Sequence, residues 1–135
     1  MKPSRPTSGF TLVEVLIVVT IIALLASVAV PNFLRARKRA QATRMMDDLR
    51  LIDAALDRYA ADYSKAGGSA VTWEDLQPYL KKNIVLYNSN GIDLLGNPIN
   101  DGPVFSVDNI PRVNSSSFSS LSDVAPREFW VPFDP

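Results

Sequence analysis

One carboxylate, Glu14, interrupts an otherwise uncharged run of 21 residues, FTLVEVLIVVTIIALLASVAV, from Phe10 to Val30. An acidic side chain at the centre of a membrane span costs roughly 2.5–3.5 kcal/mol, and less towards the end of the span, where Glu14 stands. A carboxylate kept in such a place calls for a cation, and the readiest source is another chain in the same membrane. Little else in the sequence suits catalysis. There is no His and no Cys. Serine triads, cysteine–histidine pairs, zinc hydrolysis and disulfides are thereby excluded. Gly67-Gly68 stands alone in AGGSA, without the spacing of a phosphate or dinucleotide loop. The chain reads as a non-enzyme.

The element that must position Glu14 is a helix. At a rise of 1.5 Å per residue the apolar run is about 32 Å long, enough for a hydrocarbon core of about 30 Å. A short polar leader, MKPSRPTSG, precedes it. The run fits a membrane anchor. It also admits a secretory signal with Ser27-Val28-Ala29 as cleavage box, which would leave a secreted, soluble binding protein. Two features weigh against a cleaved signal: the run exceeds a usual signal core, and its charge lies inside rather than before it.

Gly9-Phe10-Thr11-Leu12-Val13-Glu14, continued by Val15-Leu16-Ile17-Val18-Val19 and closed by Pro31, resembles the N-terminal motif of prepilins. These are the type IV pilins and the pseudopilins of type II secretion. The resemblance implies that a prepilin peptidase cuts after Gly9 on the cytoplasmic side and N-methylates Phe10. It implies that Glu14 offsets the freed Phe10 amine of a neighbouring subunit and so sets one axial register. A contact from Glu14 to its own Phe10 amine, four residues back, is the local alternative. Pro31 removes a backbone donor and is expected to kink the helix. In filaments of this family the helix often melts before this proline. Here the family's usual glycine is replaced by Ala23, a better helix former by about 1 kcal/mol, so less melting is expected.

Beyond Pro31, Met45, Leu49, Ile52, Leu56, Tyr59 and Tyr63 recur at steps of four and three, opposite Asp48, Arg50, Asp53, Asp57 and Arg58. One helix of about 80 Å from Phe10 to Tyr63 is expected, its second half packed on a small sheet. Residues 35–50 carry Arg35, Arg37, Lys38, Arg39, Arg44 and Arg50 against Asp47 and Asp48. That basic run admits three readings: a solvated face beside anionic lipid headgroups, pairing with acidic faces of neighbouring subunits, or DNA binding. The run lacks interleaved aromatics and residues 51–135 are mildly acidic, so no nucleic-acid partner is expected. The positive-inside rule would place the C-terminus inside, whereas the resemblance places it in the periplasm.

Lys65 to Ser69 reads as a helix stop and loop. Thr72-Trp73-Glu74-Asp75 resembles a capping box opening a short helix, Trp73–Leu80, kinked at Pro78. Segments 84–87, 103–108 and 127–131 are strand candidates, 88–91 and 96–98 turns, and 114–122, NSSSFSSLS, a polar loop. Phe129, Trp130 and Phe133 could fold the C-terminus back by burial. The short Asp93-Leu94-Leu95-Gly96-Asn97-Pro98 resembles a degraded turn of the major pseudopilin. Asp101, Asp108 and Asp123 are too scattered to form a calcium site, so no cofactor or metal is expected.

The expected fold is α+β, a pilin fold: a long kinked helix on a small antiparallel sheet of three or four strands. The expected divisions are a leader (1–9), a membrane or filament-core helix (10–30), an amphipathic helix half (31–64) and a globular head (65–135). The resemblance implies a filament subunit of the inner membrane, single-pass, with its head in the periplasm. Its partners would be copies of itself, minor pseudopilins or pilins, prepilin peptidase, and an assembly platform with its ATPase. A type IV pilin for adhesion, twitching or DNA uptake shares every N-terminal feature.

Overall fold

The computed structural model describes residues 9–102 and 104–135. Residues 1–8, most of the expected leader, lie outside these, as does Pro103 at the start of one expected strand. The chain forms two compact units, one ending at Ala36 and one running from Arg37 to Pro135.

Helix α1 runs from Leu12 to Tyr63. In the first unit it is apolar on every side, and all residues from Gly9 to Ala36 are exposed. A helix apolar all round belongs in a protein core or a membrane, and α1 is long and apolar enough to cross one. In the second unit the helix becomes amphipathic. It buries Ala42, Met45, Met46, Leu49, Ile52, Ala55, Leu56 and Tyr59. The expected stripe is thus buried from Met45 to Tyr59. Tyr63 is 62% exposed and instead lays its ring 4.9 Å from that of Tyr59. The helix stops in the left-handed turn at Ser64, φ 48°. Lys65 N–H then donates to the Ala60 carbonyl at 3.2 Å, the six-to-one bond of a Schellman end.

The fold is α+β, with a smaller sheet than expected. Strands β1 (Ala70–Val71) and β2 (Phe105–Ser106) pair antiparallel, Ala70 opposite Ser106 and Val71 opposite Phe105. The two other strand candidates are 3-10 turns, Val85–Asn88 and Arg127–Trp130. Each satisfies its backbone locally, through Tyr87 N–H to Ile84 O at 3.2 Å and Phe129 N–H to Pro126 O at 2.9 Å. β-branched and aromatic composition favours a strand only where a neighbour can pair with it. After β1 comes α2 (Trp73–Leu76), which gives way to a 3-10 turn holding Pro78. The Asp75 carboxylate accepts from the Thr72 N–H at 3.0 Å and its hydroxyl at 2.9 Å, the expected reciprocal cap.

The serine-rich segment is also a correction: it forms helix α3, Ser115–Leu121. Serine is a poor helix former because its hydroxyl competes for the backbone. Here the cap and burial win. Asn114 accepts from the Ser116 N–H at 2.8 Å, and Ser117 and Leu121, four apart, are both buried. The C-terminus folds back through Trp130 and Phe133, both buried, while Phe129 stays 37% exposed. The Trp130 indole N–H donates to Ala125 O at 3.1 Å. This packing completes a core of Ile52, Leu76, Phe105, Val113, Leu121 and Trp130.

Candidate functional site

The N-terminal end of α1 gathers the residues singled out for chemistry. Thr11 immediately precedes the helix and Glu14 lies in its first turn. The Glu14 Oε2 accepts from the Thr11 N–H at 2.8 Å and from the Thr11 hydroxyl at 2.7 Å. In return the Glu14 N–H donates to Thr11 Oγ1 at 3.2 Å. This is a capping box, in which two orphan donors of the first turn are satisfied reciprocally. The sequence signal is Thr-x-x-Glu ahead of an apolar run, which the charge of Glu14 overshadows. The box fixes Glu14 by its Oε2. Among the described residues, Oε1 accepts no hydrogen bond, so this oxygen can receive an incoming cation while the cap stays closed.

Gly9 and Phe10 sit just outside the helix. Phe10 is 87% exposed, and a Cβ added to Gly9 would meet no atom within 4 Å. Nothing in the described fold therefore requires glycine at position 9. Phe10 and Glu14, one turn apart, line a shallow groove with Val15, Val18 and Val19. The two other polar side chains of the apolar run satisfy themselves. Thr20 donates to Leu16 O at 2.5 Å and Ser27 to Leu24 O at 2.6 Å, the back-bonding that lets hydroxyls stay in an apolar helix. Pro31 lies inside α1, which remains helical on both sides of it.

The basic run and the distal carboxylates have contacts of their own. Lys38 pairs with Asp123 at 3.0 Å, and Arg44 with Asp48 at 3.2 Å. Asp101 accepts from the Ser115 N–H at 3.0 Å and its hydroxyl at 2.7 Å. Asp108 lies instead against Gly67. The pseudopilin-like turn is held by Asp93, whose Oδ1 accepts from the Leu95 and Asn97 N–H groups at 2.9 Å each. Its other oxygen accepts from the buried Ser117 hydroxyl. No group of three or more acidic side chains that could hold a metal ion occurs among the described residues.

Residues 4–30 match the family model described as the prokaryotic N-terminal methylation motif. The chain carries that motif. Over this segment it is similar to type IV pilin-like proteins. It is 42% identical over 64 residues to the Type II secretion system core protein G of Vibrio cholerae serotype O1, covering 47% of this chain and 44% of that one. To the protein of the same name from Pseudomonas aeruginosa it is 41% identical over 58 residues, 43% of this chain and 41% of that one. To the Type IV wide pilus major component PilA4 of Thermus thermophilus it is 62% identical over 39 residues, 29% of this chain and 30% of that one. The chain thus spans less than half the length of the curated relatives it matches. No solved structure matches it.

Proposed function

We propose that the chain is a structural subunit, not an enzyme, of a type IV pilin-like filament, and specifically a type II secretion pseudopilin. The observation that carries this reading is Gly9-Phe10-Thr11-Leu12-x-Glu14 at the exposed start of an apolar helix. The relatives named Type II secretion system core protein G support it. In this reading prepilin peptidase cuts between Gly9 and Phe10 and methylates the new amine. The helix holds the subunit in the inner membrane with its head in the periplasm. An assembly platform and its ATPase then pass it into a homopolymer, the pseudopilus, which minor pseudopilins accompany.

The physical logic is the exposed apolar surface. A patch from Phe10 to Leu34 on all sides of a helix must be covered by lipid or by protein. Moving the helix from lipid into a bundle of identical helices replaces one cover by the other and never exposes it to water. Glu14 then selects the register. Its free oxygen faces an incoming Phe10 amine, and any other register leaves a charge unpaired in low dielectric.

A second reading, a type IV pilus subunit, is favoured by the 62% identity to the wide-pilus protein. Both readings are tested by producing the chain with its assembly machinery, with and without prepilin peptidase. Peptidase-dependent fibres are expected, confined to the periplasm for a pseudopilin and on the cell surface for a pilus. A soluble periplasmic monomer would overturn both in favour of a secreted binding protein.

A further inference from the structure

The basic run after the apolar segment has cations that pair with no acid among the described residues. No acidic residue occurs between Glu14 and Asp47, while Arg35, Arg37, Lys38, Arg39 and Arg44 all fall in that interval. Lys38 is neutralised by Asp123 and Arg44 by Asp48. Arg37 and Arg39 are exposed and pair with no acid among the described residues. Successive residues of a helix are about 100° apart, so Arg37 and Arg39 lie on opposite sides of α1. One neighbouring protein surface could not meet both, but a medium surrounding the helix could.

Counting along the sequence at helical rise, Arg37 follows Val30 by about 10 Å, just past the hydrocarbon edge. Helical side chains lean towards the N-terminus. Long cationic side chains also lay their stems along apolar surface and place their charge at the interface. Both effects carry the guanidinium groups back to the depth of lipid phosphates. The planar guanidinium fork matches phosphate oxygens bidentately.

We propose that Arg37 and Arg39 bind the phosphates of anionic phospholipids in the leaflet from which the helix emerges. The stored subunit then carries its own shell of acidic lipid. This rests on the reading that the apolar helix spans a membrane.

The test reconstitutes the full chain in vesicles of equal phosphatidylglycerol and phosphatidylcholine. Native mass spectrometry then counts the lipids retained on the released protein. The wild type should retain phosphatidylglycerol in clear excess. Arg37→Gln/Arg39→Gln should lower that preference by about five-fold for each charge removed, at about 1 kcal/mol per cation near an anionic surface. Asp123→Asn, which leaves Lys38 unpaired, should raise it. A chain that inserts but shows no preference overturns this proposal alone, while a chain that does not insert overturns the membrane reading as well. A double variant that keeps the lipid preference but loses fibre assembly would assign the two arginines to acidic faces of neighbouring subunits and reject the lipid shell.

Discussion

Glu14 closes a capping box on Thr11 with one carboxylate oxygen, Oε2, at 2.7 and 2.8 Å, while its other oxygen accepts no hydrogen bond among the described residues. A local role and a role between subunits can therefore coexist on one side chain. The two roles separate by mutation. Glu14→Ala removes both and should abolish or strongly reduce fibre assembly while processing at Gly9–Phe10 continues. Glu14→Gln keeps an oxygen for the cap but not the charge, and should assemble as poorly as the alanine variant. Fibre yield by electron microscopy checks this. Normal fibres from Glu14→Gln would remove the charge-pairing argument.

Thr11 tests the cap by itself. Thr11→Val removes the hydroxyl bonds and should loosen the first turn by about 1 kcal/mol, the usual worth of an N-cap, whereas Thr11→Ser should leave it unchanged. Amide hydrogen exchange of residues 12–15 in micelles reads the difference. Equal protection in both variants would show the box to be dispensable.

The long helix stops on a serine held at φ 48°. Glycine adopts that conformation without the steric cost a side chain meets. Ser64→Gly should raise unfolding free energy by about 0.5–1 kcal/mol, the benefit of relieved strain less the added unfolded-state entropy. The urea midpoint of the full chain in detergent measures it, and an unchanged or lower midpoint would contradict the strain.

Neighbouring residues on α1 distinguish the packed face from the free one. Ile52 is fully buried, and Ile52→Ala should cost about 2–5 kcal/mol through lost burial and a cavity. Leu51, 42% exposed, should cost well under about 1 kcal/mol when replaced by alanine. Similar thermal shifts for the two variants would mean that the head packs on a different face.

Asp48 lies half-buried beside Arg44. Burial pushes its carboxyl above the usual range, and the hydrogen bond and charge of Arg44 only partly oppose this. A folded-state pKa above the unfolded value means that the folded chain binds the proton more tightly. Through the window above the ordinary value of 3.8 this group therefore makes stability fall as pH rises. Asp48→Asn removes that slope and should gain relative to wild type as pH increases from 4 towards neutrality. Urea midpoints across that range provide the check, and a variant that loses ground with rising pH would reverse the sign.

The parts legible in the sequence were those carried by periodicity and by a specific short motif. The stripe from Met45 to Tyr59 predicted the buried face because an amphipathic helix repeats one rule many times. Thr72 and Asp75 were legible as a cap because both partners lie within one turn. Segments 84–87 and 127–131 were misread because strand composition says nothing about whether a partner strand is within reach. Asn114–Ser122 was misread because its serines outvoted one good N-cap and the pair Ser117 and Leu121, whose burial depends on distant residues. The Thr11–Glu14 box was legible but was hidden by the stronger question of what a charge does in an apolar helix.

The central claim is that Gly9–Phe10 is a processing site and Phe10 the working N-terminus. Intact mass and N-terminal sequencing of the protein purified from its native membrane test it most directly. The account predicts a chain that begins at N-methylated Phe10. A chain beginning at Met1, or near Val30, would contradict it.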